Sequence, residues 1–184
     1  MKKTIALTML ALTACNRGSE VKVENATPEE VAAKVEQSGA ANDIQIEPGQ
    51  WRVVSEIRLA EMKGMPEAVA AQMKASMERK STDLQCITPE EVKKPDVFAG
   101  KQDGSCTYES FEMGGGKIDA VMHCGAGDGG RMTMTMKGSY SPRAYTVDAT
   151  MDTGSAGGVQ GMKMAMHSTA TRIGDCPAGA AADK

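Results

Sequence analysis

The sequence predicts a mainly β fold: a single antiparallel meander sheet or partly closed barrel, with one or two short helices packed on it and a further N-terminal helix. Apolar and polar residues alternate through five separate runs, the period of two that arises when successive side chains point to opposite faces of a sheet. Glycine-rich turn chemistry separates the runs: Gly114-Gly115-Gly116, Gly125 to Gly130, Gly138 to Arg143 and Gly154 to Gly158. Loops this short leave no room for the crossovers that parallel strands need, so neighbouring runs are antiparallel.

Taken in order, the chain opens with Lys2 and Lys3, followed by an apolar stretch from Thr4 to Leu12 that is too short to remain as a membrane span. That stretch ends in Leu12-Thr13-Ala14-Cys15, which resembles the lipobox of bacterial lipoproteins: an aliphatic residue, two small residues for the signal peptidase pocket, then the cysteine. The resemblance implies cleavage after residue 14 and a diacylglyceryl group on Cys15, a lipidation site that anchors the mature chain to a membrane. Each buried methylene contributes about 0.8 kcal/mol, so two or three acyl chains hold a protein essentially permanently. Asn16 stands where lipoproteins of this kind carry an aspartate as their inner-membrane retention signal. The expected address is therefore periplasm-facing, in the inner leaflet of the outer membrane.

The expected domain organisation is a signal peptide at 1–14, a lipidated tether at 15–26, a short helix and linker at 27–47, a β-rich domain at 48–176 and a disordered tail at 177–184. The tether, Asn16 to Ala26, is polar and short of large apolar groups. Thr27-Pro28-Glu29-Glu30-Val31 then starts a helix, with Thr27 as N-cap, Pro28 at the first helical position and Glu30 closing a capping box. Val31 and Val35 share one face, and Ser38 to Asp43 ends it. The same start recurs at Thr88-Pro89-Glu90-Glu91-Val92, but its flanks do not match, so one capping solution is used twice rather than a repeat.

In Trp51 to Leu59, the residues Trp51, Val53, Ile57 and Leu59 share one face while Arg52, Glu56 and Arg58 share the other. Ile118, Ala120, Met122 and Cys124 repeat the pattern. Met132, Met134 and Met136 stand against Arg131, Thr133, Thr135 and Lys137, and Tyr145, Val147, Ala149 and Met151 against Thr146, Asp148, Thr150 and Asp152. Met162, Met164 and Met166 complete the set. A helix beginning at Met65 or Pro66, with Val69, Met73 and Met77 recurring every four residues, is expected to cover part of the apolar face.

The sequence resembles a family of exported bacterial proteins, domain-of-unknown-function family 3617. The resemblance rests on Pro48-Gly49-Gln50-Trp51 opening a strand, Cys86-Ile87-Thr88-Pro89-Glu90, then Cys106, Gly116, Cys124, a Gly138-Ser139-Tyr140 turn and methionine-rich strands, closing on Arg172-Ile173-Gly174-Asp175-Cys176. It runs from about Pro48 to Cys176 and implies a single β-rich domain behind a signal sequence. It transfers no catalytic residue and no ligand. The helical segment Asn25 to Gln37 is an addition to the family pattern.

Four of the five cysteines follow the anchor: Cys86, Cys106, Cys124 and Cys176. In an oxidising compartment they make two disulfides, and their spacing is far too wide for a C-x-x-C metal site. The expected pairing is Cys86 to Cys106, closing a short helix-bearing loop, and Cys124 to Cys176, pinning the C-terminal tail. Cys106 to Cys124, across one hairpin, stays open as an alternative.

The chain is mildly acidic, with a formal charge of −3 that becomes −5 once Lys2 and Lys3 are removed, and no basic run. It is a poor partner for nucleic acid, whose binding rests on clustered lysine and arginine. Groups for catalysis are few. Histidine is the side chain suited to acid–base work near neutral pH, and the chain has His123 and His167, both on the polar parity of their strands, beside Asp119 and Lys163. Ser105, Ser139 and Ser168 lack a nucleophile-elbow context, and the glycine runs do not lie between a strand and a helix as phosphate loops do. The expectation is a non-enzymatic protein without a cofactor that binds an apolar small ligand or an envelope protein, or that has a structural role.

The methionines pose the remaining question, because the chain holds 15 of them while only 3% of its residues are aromatic. Soft thioethers on Met132, Met134, Met136, Met162, Met164 and Met166 would suit Cu(I) or Ag(I). The competing reading is core packing, since the same parity carries Ile118, Tyr145 and Val147, and methionine fills irregular gaps. Both histidines fall on the opposite face from the thioethers. Packing is therefore preferred, with no tight Cu(I) site expected.

Replacement of Cys15 by serine is expected to leave the protein uncleaved or soluble, because that thiol is the acceptor for the lipid. Metabolic labelling with a fatty acid checks this, and a labelled Cys15→Ser protein would refute it.

Overall fold

The computed structural model describes residues 19–40, 46–92, 105–126, 130–154 and 161–178. The signal segment, Cys15 and the end of the tail lie outside the described residues. The strands are β1 (Val21–Ala26), β2 (Gly49–Met62), β3 (Arg79–Ile87), β4 (Cys106–Gly114), β5 (Lys117–Ala126), β6 (Gly130–Ser141), β7 (Ala144–Thr153) and β8 (Met162–Gly174). They form one antiparallel sheet in the order β1-β4-β5-β6-β7-β8-β2-β3. The helices among the described residues are α1 (Pro28–Ser38), α2 (Glu67–Met77) and the single turn α3 (Pro89–Val92). The centre is the expected meander, β4 to β8, and the sheet stays open, with β1 and β3 as its edges.

Five of these strands are the five alternating runs. The other three were not legible, each for a physical reason. β3 is largely exposed along its whole length, so neither face is selected to be apolar and no alternation marks it. In β4 a bulge falls between Tyr108 and Ser110; Cys106 and Tyr108 therefore share a face with Phe111 and Met113, and the period of two breaks midway. β1 corrects the tether assignment at 15–26. Val21 to Ala26 pairs with β4 from Val21↔Met113 to Ala26↔Tyr108, because Val21 and Ala26 are buried and Val23 packs against the core. The sheet thus begins ahead of the expected 48–176 domain.

The first capping box forms as expected. The Glu30 amide donates to Thr27 Oγ1 at 3.2 Å and the Thr27 amide to Glu30 Oε2 at 2.8 Å. Gly39, at φ 73°, ends the helix in the left-handed conformation that glycine adopts without a Cβ penalty. Val31 and Val35 are buried as α1 packs on β1 and β4. Thr88 and Glu91 repeat the box at α3. In contrast, α2 does not cover the apolar face: it packs on β2, none of its residues is buried, and Val69 is 45% exposed. Its apolar repeat is one residue per turn, a stripe too narrow to seal against a sheet.

The turns follow their residues. Gly115 and Gly116, at φ 56° and 76°, make a two-residue β4–β5 hairpin loop of the kind that needs positive φ at both positions. Gly138 to Tyr140 is not a turn but part of β6, which reaches its turn only at Pro142-Arg143. Gly138 lies where a Cβ would meet Ile118 Cγ2 at 2.9 Å, so its glycine serves close packing within the sheet.

The buried core gathers at one end of the apolar face, from Val21, Val31, Trp51, Val53, Tyr108, Phe111, Ile118 and their neighbours. Trp51 is fully buried, donates from Nε1 to the Glu47 carbonyl at 3.1 Å and stacks on Tyr145 with centroids 5.9 Å apart. Beside it, Arg172 donates from Nε to the Pro48 carbonyl at 2.9 Å and from NH2 to Asp175 at 2.6 Å.

The disulfides are Cys86–Cys176 and Cys106–Cys124, which overturns the expected pairing and supports the hairpin alternative. Cys106 and Cys124 are direct partners across β4 and β5, with Cα atoms 4.0 Å apart. Cys86 lies opposite Gln50, which also lies opposite Gly174, so the end of β8 delivers Cys176 to it. Loop length ranks pairings by entropy, but strand adjacency decides which sulfurs can meet. Sequence separations of 90 and 18 make the two bonds worth about 4 to 5 and about 3 kcal/mol of unfolded-state entropy. Non-reducing peptide mapping is expected to recover Cys86 linked to Cys176 and Cys106 linked to Cys124, with no alkylatable thiol among them; any peptide joining the two pairs would contradict the topology.

Candidate functional site

The sheet has one polar and one apolar face, and each carries a cluster of side chains able to do chemistry. On the polar face one row crosses every strand: Lys22, Glu112, Asp119, Lys137, Asp148, His167, Glu56 and Lys80 are successive register partners from β1 to β3. Lys22 pairs with Glu112, Lys137 with Asp119 at 2.6 Å, and His167 with Asp148 at 2.6 Å. The Glu112 carboxylate raises the pKa of Lys22 through its hydrogen bond and charge, and the hydrogen bond from Arg58 lowers that of Glu56. These groups are well exposed, and solvent screening leaves pairs of this kind little weight in stability. Their effect is to fix register. Burial raises the pKa of Tyr108 and of Tyr145 on the other face.

His123 lies in a second polar-face cluster. Its Nε2 is 2.6 Å from Glu109 Oε2 and its Nδ1 3.1 Å from Thr133 Oγ1, at the edge of a cleft of about 420 Å³ lined by Thr107, His123, Cys124, Gly125, Gly130 and Arg131. Hydroxyl, imidazole and carboxylate thus stand in the order of a hydrolytic triad. Thr133, however, is in the middle of β6, paired with His123 on one side and Asp152 on the other. Its neighbouring amides are committed to the two ladders, so the strand around Thr133 offers no pair of free donors to a developing oxyanion among the described residues. The partner of His123 is Glu109, presented by the β4 bulge, and that of His167 is Asp148; sequence neighbours do not reveal either pairing.

The apolar face gathers the methionines more fully than their two strands suggest. Register places Met122, Met134, Met151 and Met164 in one row across β5, β6, β7 and β8. Met132 and Met162 flank that row on one side, Met136 and Met166 on the other. Met151, on the same face of β7, joins the two methionine strands into one set. Met122 is buried. Met132, Met134, Met136, Met151, Met162 and Met164 are only half-buried, and Met166 is 38% exposed. Met132, Met134 and Met136 pack against the core, as the packing reading expects, but the set is only partly buried, with α1 on β1 and β4 and α2 on β2. Both histidines project from the opposite face, as parity required. Among the described residues no cluster of three histidine, cysteine, aspartate or glutamate side chains could hold a metal ion.

The family model described as a protein of unknown function, DUF3617, matches residues 46–176. The chain belongs to the DUF3617 family. Neither the curated proteins nor the solved structures gave a match. In this DUF3617 protein the match excludes β1 and α1 and ends on Cys176, the disulfide partner of Cys86. The motifs that carried the resemblance meet in space: Gly49 and Gln50 lie opposite Ile87 and Cys86 on one side, with Gly174 on the other. Their role is to close one end of the sheet. At Gly49, φ is 146° and a Cβ would stand 2.4 Å from the Gly174 carbonyl oxygen and 2.7 Å from Arg172 Nε. Gly49→Ala is expected to destabilise the DUF3617 domain by about 1–3 kcal/mol, measured by chemical denaturation; an unchanged midpoint would show that the close approach is relaxed at no cost.

Proposed function

We propose that this protein is a non-catalytic, lipid-anchored binding protein facing the periplasm, and that its working surface is the open thioether face of β6, β7 and β8. The observation that carries this reading is Met166 at 38% exposure among half-buried methionines on the same face. Methionine side chains adapt to what they meet and recur on binding surfaces, which suits this face to that role. The lipobox-like Leu12-Thr13-Ala14-Cys15 supports the anchor, and the two disulfides support an oxidising compartment. The non-catalytic part rests on the poor setting of Thr133, His123 and Glu109 for acyl transfer. Native mass spectrometry of the protein extracted from its own envelope is expected to show a bound non-protein mass that is lost when the thioether face is altered. Recovery of bare protein alone, in repeated mild extractions, would count against a binding role.

A further inference from the structure

The proposed binding surface has a donor set that selects its ligand. We propose that the row Met134, Met151 and Met164 binds one monovalent soft ion, Cu(I) or Ag(I), through three thioether sulfurs; this rests on the binding role proposed above and names its ligand.

The geometry comes from the sheet register. Met134 and Met151 are direct partners, as are Met151 and Met164. Directly opposed side chains have Cβ atoms about 4.5–5.5 Å apart. A zinc-bound cysteine sulfur stands about 2.3 Å from its metal, and three sulfurs at a comparable distance in a trigonal plane would stand about 4 Å from one another. Met151 lies between the other two in register, and side chains with three rotatable bonds allow the three thioethers to converge. Met122 on one side and Met132 and Met162 along the strands place further sulfurs within reach.

Chemistry excludes the commoner ions. His123 and His167 are engaged with Glu109 and Asp148 on the opposite face, and among the described residues no cluster of three histidine, cysteine, aspartate or glutamate side chains could hold an ion. Divalent zinc, nickel and Cu(II) favour such nitrogen and oxygen donors, whereas thioethers suit Cu(I). The thiolates that would compete for a soft ion are locked in two disulfides, which leaves the thioethers as the soft donors. Met134 packs in part against the core, while Met134, Met151 and Met164 are only partly buried, so the row keeps an access that a sealed core would deny to an ion.

The test uses the full-length protein in a non-ionic detergent, titrated anaerobically with Cu(I) against a chromogenic Cu(I) chelator, and in parallel with Ag(I). The expected result is one ion per chain held against the chelator at submicromolar affinity. Met151→Leu and Met164→Leu, which keep shape and apolarity, are expected to weaken it at least tenfold. Met113→Leu, on the same face but in the sealed core, and the His123→Ala/His167→Ala double variant are expected to leave it unchanged. X-ray absorption at the copper edge should report sulfur alone in the first shell. Circular dichroism confirms that each variant is folded, and if one is not, the other leucine variant decides. Copper left wholly with the chelator by folded wild-type protein would overturn the inference, as would affinity lost in the histidine variant. An organic molecule on the thioether face in native mass spectra, without copper binding, would leave the binding role standing and remove the metal; bare protein in both experiments would remove both.

Discussion

The fold turns on the burial of a single indole. Trp51 lies where β2 starts beside β8, and its ring is held by the Glu47 carbonyl, the face of Tyr145 and the core residues around Val53 and Ala170. Loss of such a side chain costs about 3–5 kcal/mol in a packed core, a large part of the stability of a domain this size. What surrounds it serves to keep it there. Arg172 lies across the start of β2 and bonds the Pro48 carbonyl, Gly49 leaves room for that guanidinium, and Cys86–Cys176 ties the last segment to the third strand of the same end. A chain with few aromatic residues has placed its one tryptophan at the junction of three segments distant in sequence.

From that end the sheet is sealed unequally. Towards β1 and β4 the helix α1 completes the core, with Val31 and Val35 against Val21, Tyr108 and Phe111. Towards β7 and β8 the cover thins and the side chains become methionine. Thioethers tolerate this position because they are flexible and polarizable, and lose less than a branched aliphatic group when one side of their packing is missing. The same softness makes them donors.

The polar face works differently. Its charged row runs through all eight strands and pairs unlike groups across most of the ladder. A slip of one residue in a strand would turn its charged residue towards the apolar face and its apolar residues towards solvent. The row thus makes register costly to change even in strands such as β6, where threonine and methionine alternate almost without variation.

Period and capping chemistry act between near neighbours in the chain, and so the sequence by itself determined the five alternating strands, the face on which each residue lies, both capping boxes and the placement of the methionines opposite the histidines. Only the tertiary structure decided the rest. Cys106 pairs with Cys124 because their strands are adjacent, a fact that no spacing encodes. Val21 to Ala26 becomes an edge strand because the open side of β4 accepts it, and Glu109 reaches His123 because a bulge reverses the parity of β4. Met151 joins two methionine strands into one row only when β7 settles between β6 and β8. Strand order and register are contacts between residues far apart in sequence, and no local pattern carries them.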